Sequence, residues 1–175
     1  RNCKLCPRLV AYRQDSRRNN PDWHNAPVPS FGPNTAKLLI VGLAPGLKGA
    51  NRTGRPFTGD YAGDLLYSTL IKFGFARGVF DARPDDGLTL IDAQITNAVR
   101  CVPPENKPTP AEIRTCRPYL EKTIDSLKGL HAIVALGRIA HDAVIKSFGE
   151  TLSAHPFAHG ATHELSGSML FDSYH

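Results

Sequence analysis

Three short apolar runs punctuate the chain. Residues 36–42 read Ala-Lys-Leu-Leu-Ile-Val-Gly, residues 131–137 read His-Ala-Ile-Val-Ala-Leu-Gly, and residues 93–99 form a shorter version. A brief apolar run closed by glycine is what a strand buried on both faces shows. Between these runs the period changes. Leu65, Leu66, Leu70 and Phe73 share one face of a helix expected over about 62–73. Thr109-Pro110-Ala111-Glu112 is a capping box with proline at the first helical position, and it opens a helix with the apolar stripe Ile113, Cys116, Leu120, Ile124 and Leu127. A further helix is expected over 138–148 and a last strand over 168–174. Strands alternating with helices specify an α/β fold with a largely parallel sheet. Ligands then belong at the carboxyl ends of the strands, where the loops after Val41, Asn97 and Leu136 converge.

Residues 1–36 carry no sustained period beyond a short helix around 9–13, and read as an irregular arm wrapped on a single domain spanning 1–175. Trp23 reads as an anchor of that arm. The last quarter is dense in His, Gly and Ser, and His24, His131, His141, His155 and His163 read as surface or packing residues.

Composition narrows the class. With 175 residues, 41% of them hydrophobic, the chain can bury a core of its own. No apolar run approaches the roughly 20 residues of a membrane-spanning helix, and no apolar leader marks the chain for export, so a cytoplasmic location is the expectation. Lys and Arg number 21 against 16 Asp and Glu, and Arg1, Lys4, Arg8, Arg13, Arg17 and Arg18 crowd the start of the chain beside the single acid Asp15. Such a cluster suits a phosphate backbone, or keeps a solvated arm soluble.

In a reducing compartment four cysteines are metal ligands or free thiols before they are disulfides. Cys3 and Cys6 form a C-x-x-C pair; 94 residues separate Cys6 from Cys101, and 14 separate Cys101 from Cys116. A zinc ribbon supplies two tight knuckles, whereas an iron–sulfur cluster accepts ligands from separate elements, so the wide second spacing favours iron–sulfur over zinc. The loop Gly42-Leu43-Ala44-Pro45-Gly46-Leu47-Lys48-Gly49 invites a nucleotide-binding reading but lacks both the Lys-Ser/Thr of a P-loop and the G-x-G-x-x-G fingerprint.

The segments Gly42–Gly46, Asn51-Arg52-Thr53-Gly54-Arg55-Pro56-Phe57-Thr58-Gly59-Asp60, Thr96-Asn97-Ala98-Val99-Arg100-Cys101 and Ser173-Tyr174-His175 resemble the motifs of the uracil-DNA glycosylase superfamily. The cysteine spacing is similar to its iron–sulfur branch, families 4 and 5. Leu43 stands where family 4 carries an acid, which points to family 5, the B-type enzymes. The resemblance spans Cys3 to His175. It implies a three-layer α/β/α fold around a central, largely parallel four-stranded sheet, a [4Fe–4S] cluster on Cys3, Cys6, Cys101 and Cys116, and a partner in DNA containing uracil or other deaminated bases such as hypoxanthine. A monomeric, monofunctional glycosylase is expected. Lys48–Arg55 holds no histidine, so a stable covalent adduct with DNA is not. The family's last motif continues beyond a residue matching His175, so the C-terminus is expected to be truncated.

A glycosylase must flip its nucleotide out of the stack and read the extruded base in a pocket. Phe57 is the expected stacking face, and Asn97 offers one donor and one acceptor to the uracil edge, or else caps a strand end. Gly42, Leu43 and Ala44 place backbone groups at the base. Asn51, Arg52 and Arg55 are the expected DNA contacts. Asp60 and His175 are the catalytic candidates, Asp60 orienting water near the sugar or capping the helix behind it. The competing reading is a metal-stabilised nucleic-acid-binding module without catalysis.

Overall fold

The computed structural model describes residues 2–174, so His175 lies outside the described residues. In chain order the elements are α1 (Pro7–Asn19), β1 (Leu38–Gly42), α2 (Ala50–Thr53), α3 (Tyr61–Lys72), β2 (Ala76–Arg77), β3 (Thr89–Leu90), β4 (Ala93–Asn97), a 3-10 turn at Pro104–Asn106, α4 (Pro110–Ser126), β5 (Ala132–Leu136), α5 (Arg138–Ser147), β6 (Thr162–Leu165) and β7 (Ser168–Ser173).

The sheet order is β4-β1-β5-β7-β6. The first four strands run parallel, in register Ile40 to Ile95 and Val134, and Val134 to Phe171. The expected four-stranded parallel sheet is therefore present, extended by a fifth strand. That strand, β6, pairs antiparallel with β7 through a tight connection at Ser166-Gly167, a hairpin link that needs no crossover helix. The apolar runs become β1, β4 and β5, with Leu39, Val41, Ile95 and Ile133 fully enclosed. One core packs β1 and β5 against α4 and α5 through Leu120, Val144 and Ile145; a second packs Ile40 and Ile95 against Tyr67 and Leu70 of α3. Helices thus cover both faces. The capping box on α4 is formed in both directions, with Thr109 Oγ1 accepting from the Glu112 amide and Glu112 accepting from the Thr109 amide.

The arm differs from expectation. In place of a short helix around 9–13, Pro7–Asn19 forms a full helix whose buried face is Leu9, Arg13 and Ser16. Those positions keep helical spacing, but two are polar. Trp23 is half-exposed on a groove rather than anchored in the core.

Candidate active site and cysteine cluster

The carboxyl ends of β1, β4 and β5 open onto a pocket of about 240 Å³. Leu43, Ala44, Phe57, Asp60 and Asn97 all line it, so the structure brings together the sequence-predicted residues on this edge. Gly42 sits beneath them. A Cβ placed there would lie 2.5 Å from Phe57 Cζ and 2.6 Å from Asn97 Oδ1, so the ring and the amide both close over position 42 only because it has no side chain. Phe57 holds a left-handed backbone at φ 55°, unusual for a bulky residue, and the loop around it is tied down by Tyr67 Oη donating to Pro56 O at 2.7 Å. Strain of this kind is sustained only where the surroundings enforce it. Phe57 and Asn97 are both buried, so a flat apolar face and an amide are presented to one slot.

Asp60 is exposed and its Oδ1 accepts from the Gly63 amide at 2.9 Å, making it the N-cap of α3. The cap role is thus present, at a position that also borders the pocket.

The opposite wall is built by the loop after Leu136, which the sequence places at this edge without naming its residues as site residues. Leu136, Gly137, Arg138 and Ile139 line the pocket, and Gly137 begins α5 with no side-chain cap. The first-turn amides of a helix favour negative charge, so α5 brings a partial positive end to this edge. The Leu136-Gly137 junction, where a strand ends at the ligand edge and a helix begins at once, is what puts them there.

Two of the three expected DNA contacts are corrected. Asn51 is enclosed, its Nδ2 donating to Asn25 Oδ1 at 2.9 Å and to Ser16 Oγ at 3.2 Å, and so stitches α2 to α1. Arg55 is buried, donating to both oxygens of Asp86 at 2.8 and 2.6 Å, with its guanidinium 5.2–5.3 Å from the Phe31, Tyr67 and Phe80 ring centres. Neither reaches solvent where a phosphate would pass. Arg52 is exposed, in a polar groove shared with Arg17, Lys48 and Arg83.

All four cysteines border one small pocket, together with Leu5, Leu9, Val10, Arg13, Val99 and Tyr119. A salt bridge ties the start of α1, beside Cys6, to α4, which carries Cys116. Arg8, two residues after Cys6, donates to both Glu112 oxygens at 2.8 and 2.7 Å, and Glu112 lies one helical turn before Cys116. Burial pushes the Cys101 thiol up to about 11 and raises Cys6 and Cys116 as well. Arg13 is nevertheless buried against these thiols, donating to Cys101 Sγ at 3.4 Å and to Cys3 O at 2.6 Å, with its Nε unpartnered. Among the described residues no carboxylate pairs with it, and a buried cation that donates to a cysteine sulfur, in the pocket that all four cysteines border, fits a group of net negative charge. The Arg100 amide adds a second N–H to sulfur, 3.4 Å from Cys116 Sγ.

A family model described as the uracil DNA glycosylase superfamily matches residues 29–175. A type-5 uracil-DNA glycosylase of Thermus thermophilus is 47% identical over 180 residues, covering 99% of this chain and 81% of the relative. Another type-5 enzyme, from Pyrobaculum aerophilum, is 39% identical over 178 residues, covering 99% of this chain and 77% of the relative. A type-4 uracil-DNA glycosylase of the same organism is 36% identical over 150 residues, 85% of this chain and 62% of the relative.

Proposed function

This chain belongs to the uracil-DNA glycosylase superfamily, with type-5 members similar to it over 99% of its length, and from that premise we propose how its own residues release uracil from DNA. The observation that carries the reading is that Phe57 and Asn97 both line the strand-edge pocket and both close over Gly42. An extruded base stacks on the Phe57 ring while the Asn97 amide pairs with the uracil O4 and N3–H edge. Hydrolysis breaks the bond between C1′ and the base nitrogen; the base leaves with the bonding electrons, water oxygen adds to C1′, and the proton that the water loses ends on the departing base. Negative charge growing on the base faces the amino end of α5 and the Leu43-Ala44 backbone. Asp60, at the pocket rim, orients the water and steadies the sugar cation while it caps α3. His175, by its place in the terminal motif, donates to the base. Arg52 and its neighbours Lys48 and Arg17 hold the phosphates of the flanking strand. The enzyme acts as a monomer, and deaminated purines such as hypoxanthine are further substrates.

Cys3, Cys6, Cys101 and Cys116 hold a [4Fe–4S] cluster. When bound it supplies a structural cross-link, fastening α1 to α4 and to the chain beyond β4. Protein purified without oxygen should contain iron and acid-labile sulfide in equal amounts, about four of each per chain for a cluster of this type. One zinc per chain in place of iron defeats this assignment.

Single-turnover assays on duplexes carrying uracil, hypoxanthine or no lesion test the site. Phe57→Ala should slow release of both bases by about 5- to 150-fold, the equivalent of roughly 1–3 kcal/mol of stacking. Asn97→Ala should cost uracil more than hypoxanthine, because the amide is matched to one base edge. Equal loss on both substrates would refute the edge-reading role of Asn97. Asp60→Asn retains a good cap and deletes the charge, so it should lower the single-turnover rate at unchanged DNA affinity. If it cleaves at the parental rate, Asp60 is a cap alone.

A further inference from the structure

Away from the pocket and the cysteines, three side chains from three elements converge inside the fold. His141 of α5 is fully enclosed, Asp172 of β7 nearly so, and His163 of β6 is half-buried. His141 Nδ1 lies 2.8 Å from Asp172 Oδ1, and His163 Nε2 lies 3.1 Å from Asp172 Oδ2. The two ring nitrogens and the carboxylate are all within 4.8 Å of one another.

The hydrogen bond on the far side of His141 decides what this trio presents. His141 Nε2 lies 2.8 Å from the carbonyl oxygen of His155. A carbonyl only accepts, so Nε2 carries a hydrogen, and in the neutral ring Nδ1 is left with a lone pair. That lone pair faces a carboxylate oxygen at hydrogen-bond distance, an arrangement that requires a positive charge between the two atoms. The other ring, His163, closes on the same carboxylate. Metal-bound histidines characteristically donate their second ring N–H to a carbonyl or carboxylate, which fixes the tautomer as it is fixed here. His155 also brings its ring within 5.5 Å of His163, and its own Nε2 lies 3.7 Å from Glu150, so further N and O donors line the same side.

We propose that His141, His163 and Asp172 form a second metal site, separate from the cysteines, for a divalent cation of borderline softness such as Zn²⁺. Two imidazoles and one carboxylate are a donor set that zinc accepts. The ion joins α5 to β6 and β7, and it steadies the connection in which His155 and His159 lie. His159 stacks on Tyr174 at 4.8 Å and 6°, so the site also braces the end of β7.

The test uses holoprotein whose iron and sulfide content has been measured, dialysed against a mild chelator and titrated with Zn²⁺ or Co²⁺ alone. The parent should take up one equivalent and melt at a higher temperature with it. The cobalt form should show weak ligand-field bands without the intense thiolate charge transfer that occupation of the cysteines would give. His163→Ala should bind at least about 100-fold more weakly, more than the loss of an outer-shell partner costs. His163→Gln is the sharper variant: its amide can still donate to Asp172, so it retains the hydrogen bond and removes the ring ligand. It should fold with its iron–sulfur content intact yet gain nothing in thermal midpoint from Zn²⁺. The proposal is overturned if the parent takes up no stoichiometric metal, if His163→Gln binds as the parent does, or if bound cobalt shows thiolate charge transfer. Any of these results leaves a proton between His141 and Asp172 as the bridging charge.

Discussion

Arg55→Met should destabilise the protein by about 3–5 kcal/mol, the usual cost of removing one partner from a buried ion pair. The side chains of Arg55 and Asp86 are 4% and 1% exposed, and the pair is doubly hydrogen-bonded. Methionine approximates the length of the aliphatic stem but leaves the Asp86 carboxylate enclosed, with only the Asp81 and Leu88 amides donating to it. Hydrogen bonds from Arg55, with those amides, hold Asp86 well below the usual carboxylate range. A carboxyl depressed in the folded state contributes stability above its unfolded pKa and loses it as the pH falls through the folded value. In Arg55→Met the buried, unpaired carboxyl is raised instead, so acidification relieves it. The gap between the two proteins, measured by urea unfolding, should therefore narrow between neutral pH and about pH 4. DNA affinity of the folded variant should match the parent. A variant of parental stability that binds DNA weakly would restore Arg55 to the interface.

Arg55 shows why the sequence misled at that point. A stretch of arginines, asparagine and glycines beside the ligand edge reads as a phosphate-binding loop, and Arg52 does lie in the open groove. Which of two arginines three residues apart is exposed depends on Asp86, Phe31 and Phe80, distant in sequence and invisible to local pattern. Helix α1 was obscured for a related reason. Its inward stripe of Leu9, Arg13 and Ser16 has helical spacing but polar members, because Leu9 joins an apolar cluster with Val99 while Arg13 donates to a cysteine sulfur and Ser16 bonds with Asn25 and Asn51. The parallel strands and α4 were legible because burial on both faces and a capping box leave local signatures. Phe57 and Asn97 were legible as residues at the strand edge. Their convergence over Gly42 was not, since it brings a loop to a strand separated from it by 40 positions. The trio of His141, His163 and Asp172 escaped notice because each member looks like ordinary packing until α5, β6 and β7 are assembled.

Gly42→Ala should abolish most uracil release while leaving the fold in place. Gly42 does not have a positive φ, so alanine is compatible with the backbone there. Its methyl carbon, however, would lie 2.5 Å from Phe57 Cζ and 2.6 Å from Asn97 Oδ1. Both are the far ends of side chains, so the conflict is resolved by displacing the ring, the amide or both, at a stability cost of about 1–3 kcal/mol for local overpacking. Displacements near 1 Å in a reacting geometry cost about 100-fold in rate. The single-turnover rate on uracil-containing duplex should fall at least that far, with iron content unchanged. Gly46→Ala supplies the control, because Gly46 lines the same pocket yet a Cβ there meets nothing within 4 Å. It should excise uracil as the parent does. If Gly42→Ala retains the parental rate, Phe57 and Asn97 do not grip the base together, and the slot must be sought between Leu43 and the amino end of α5.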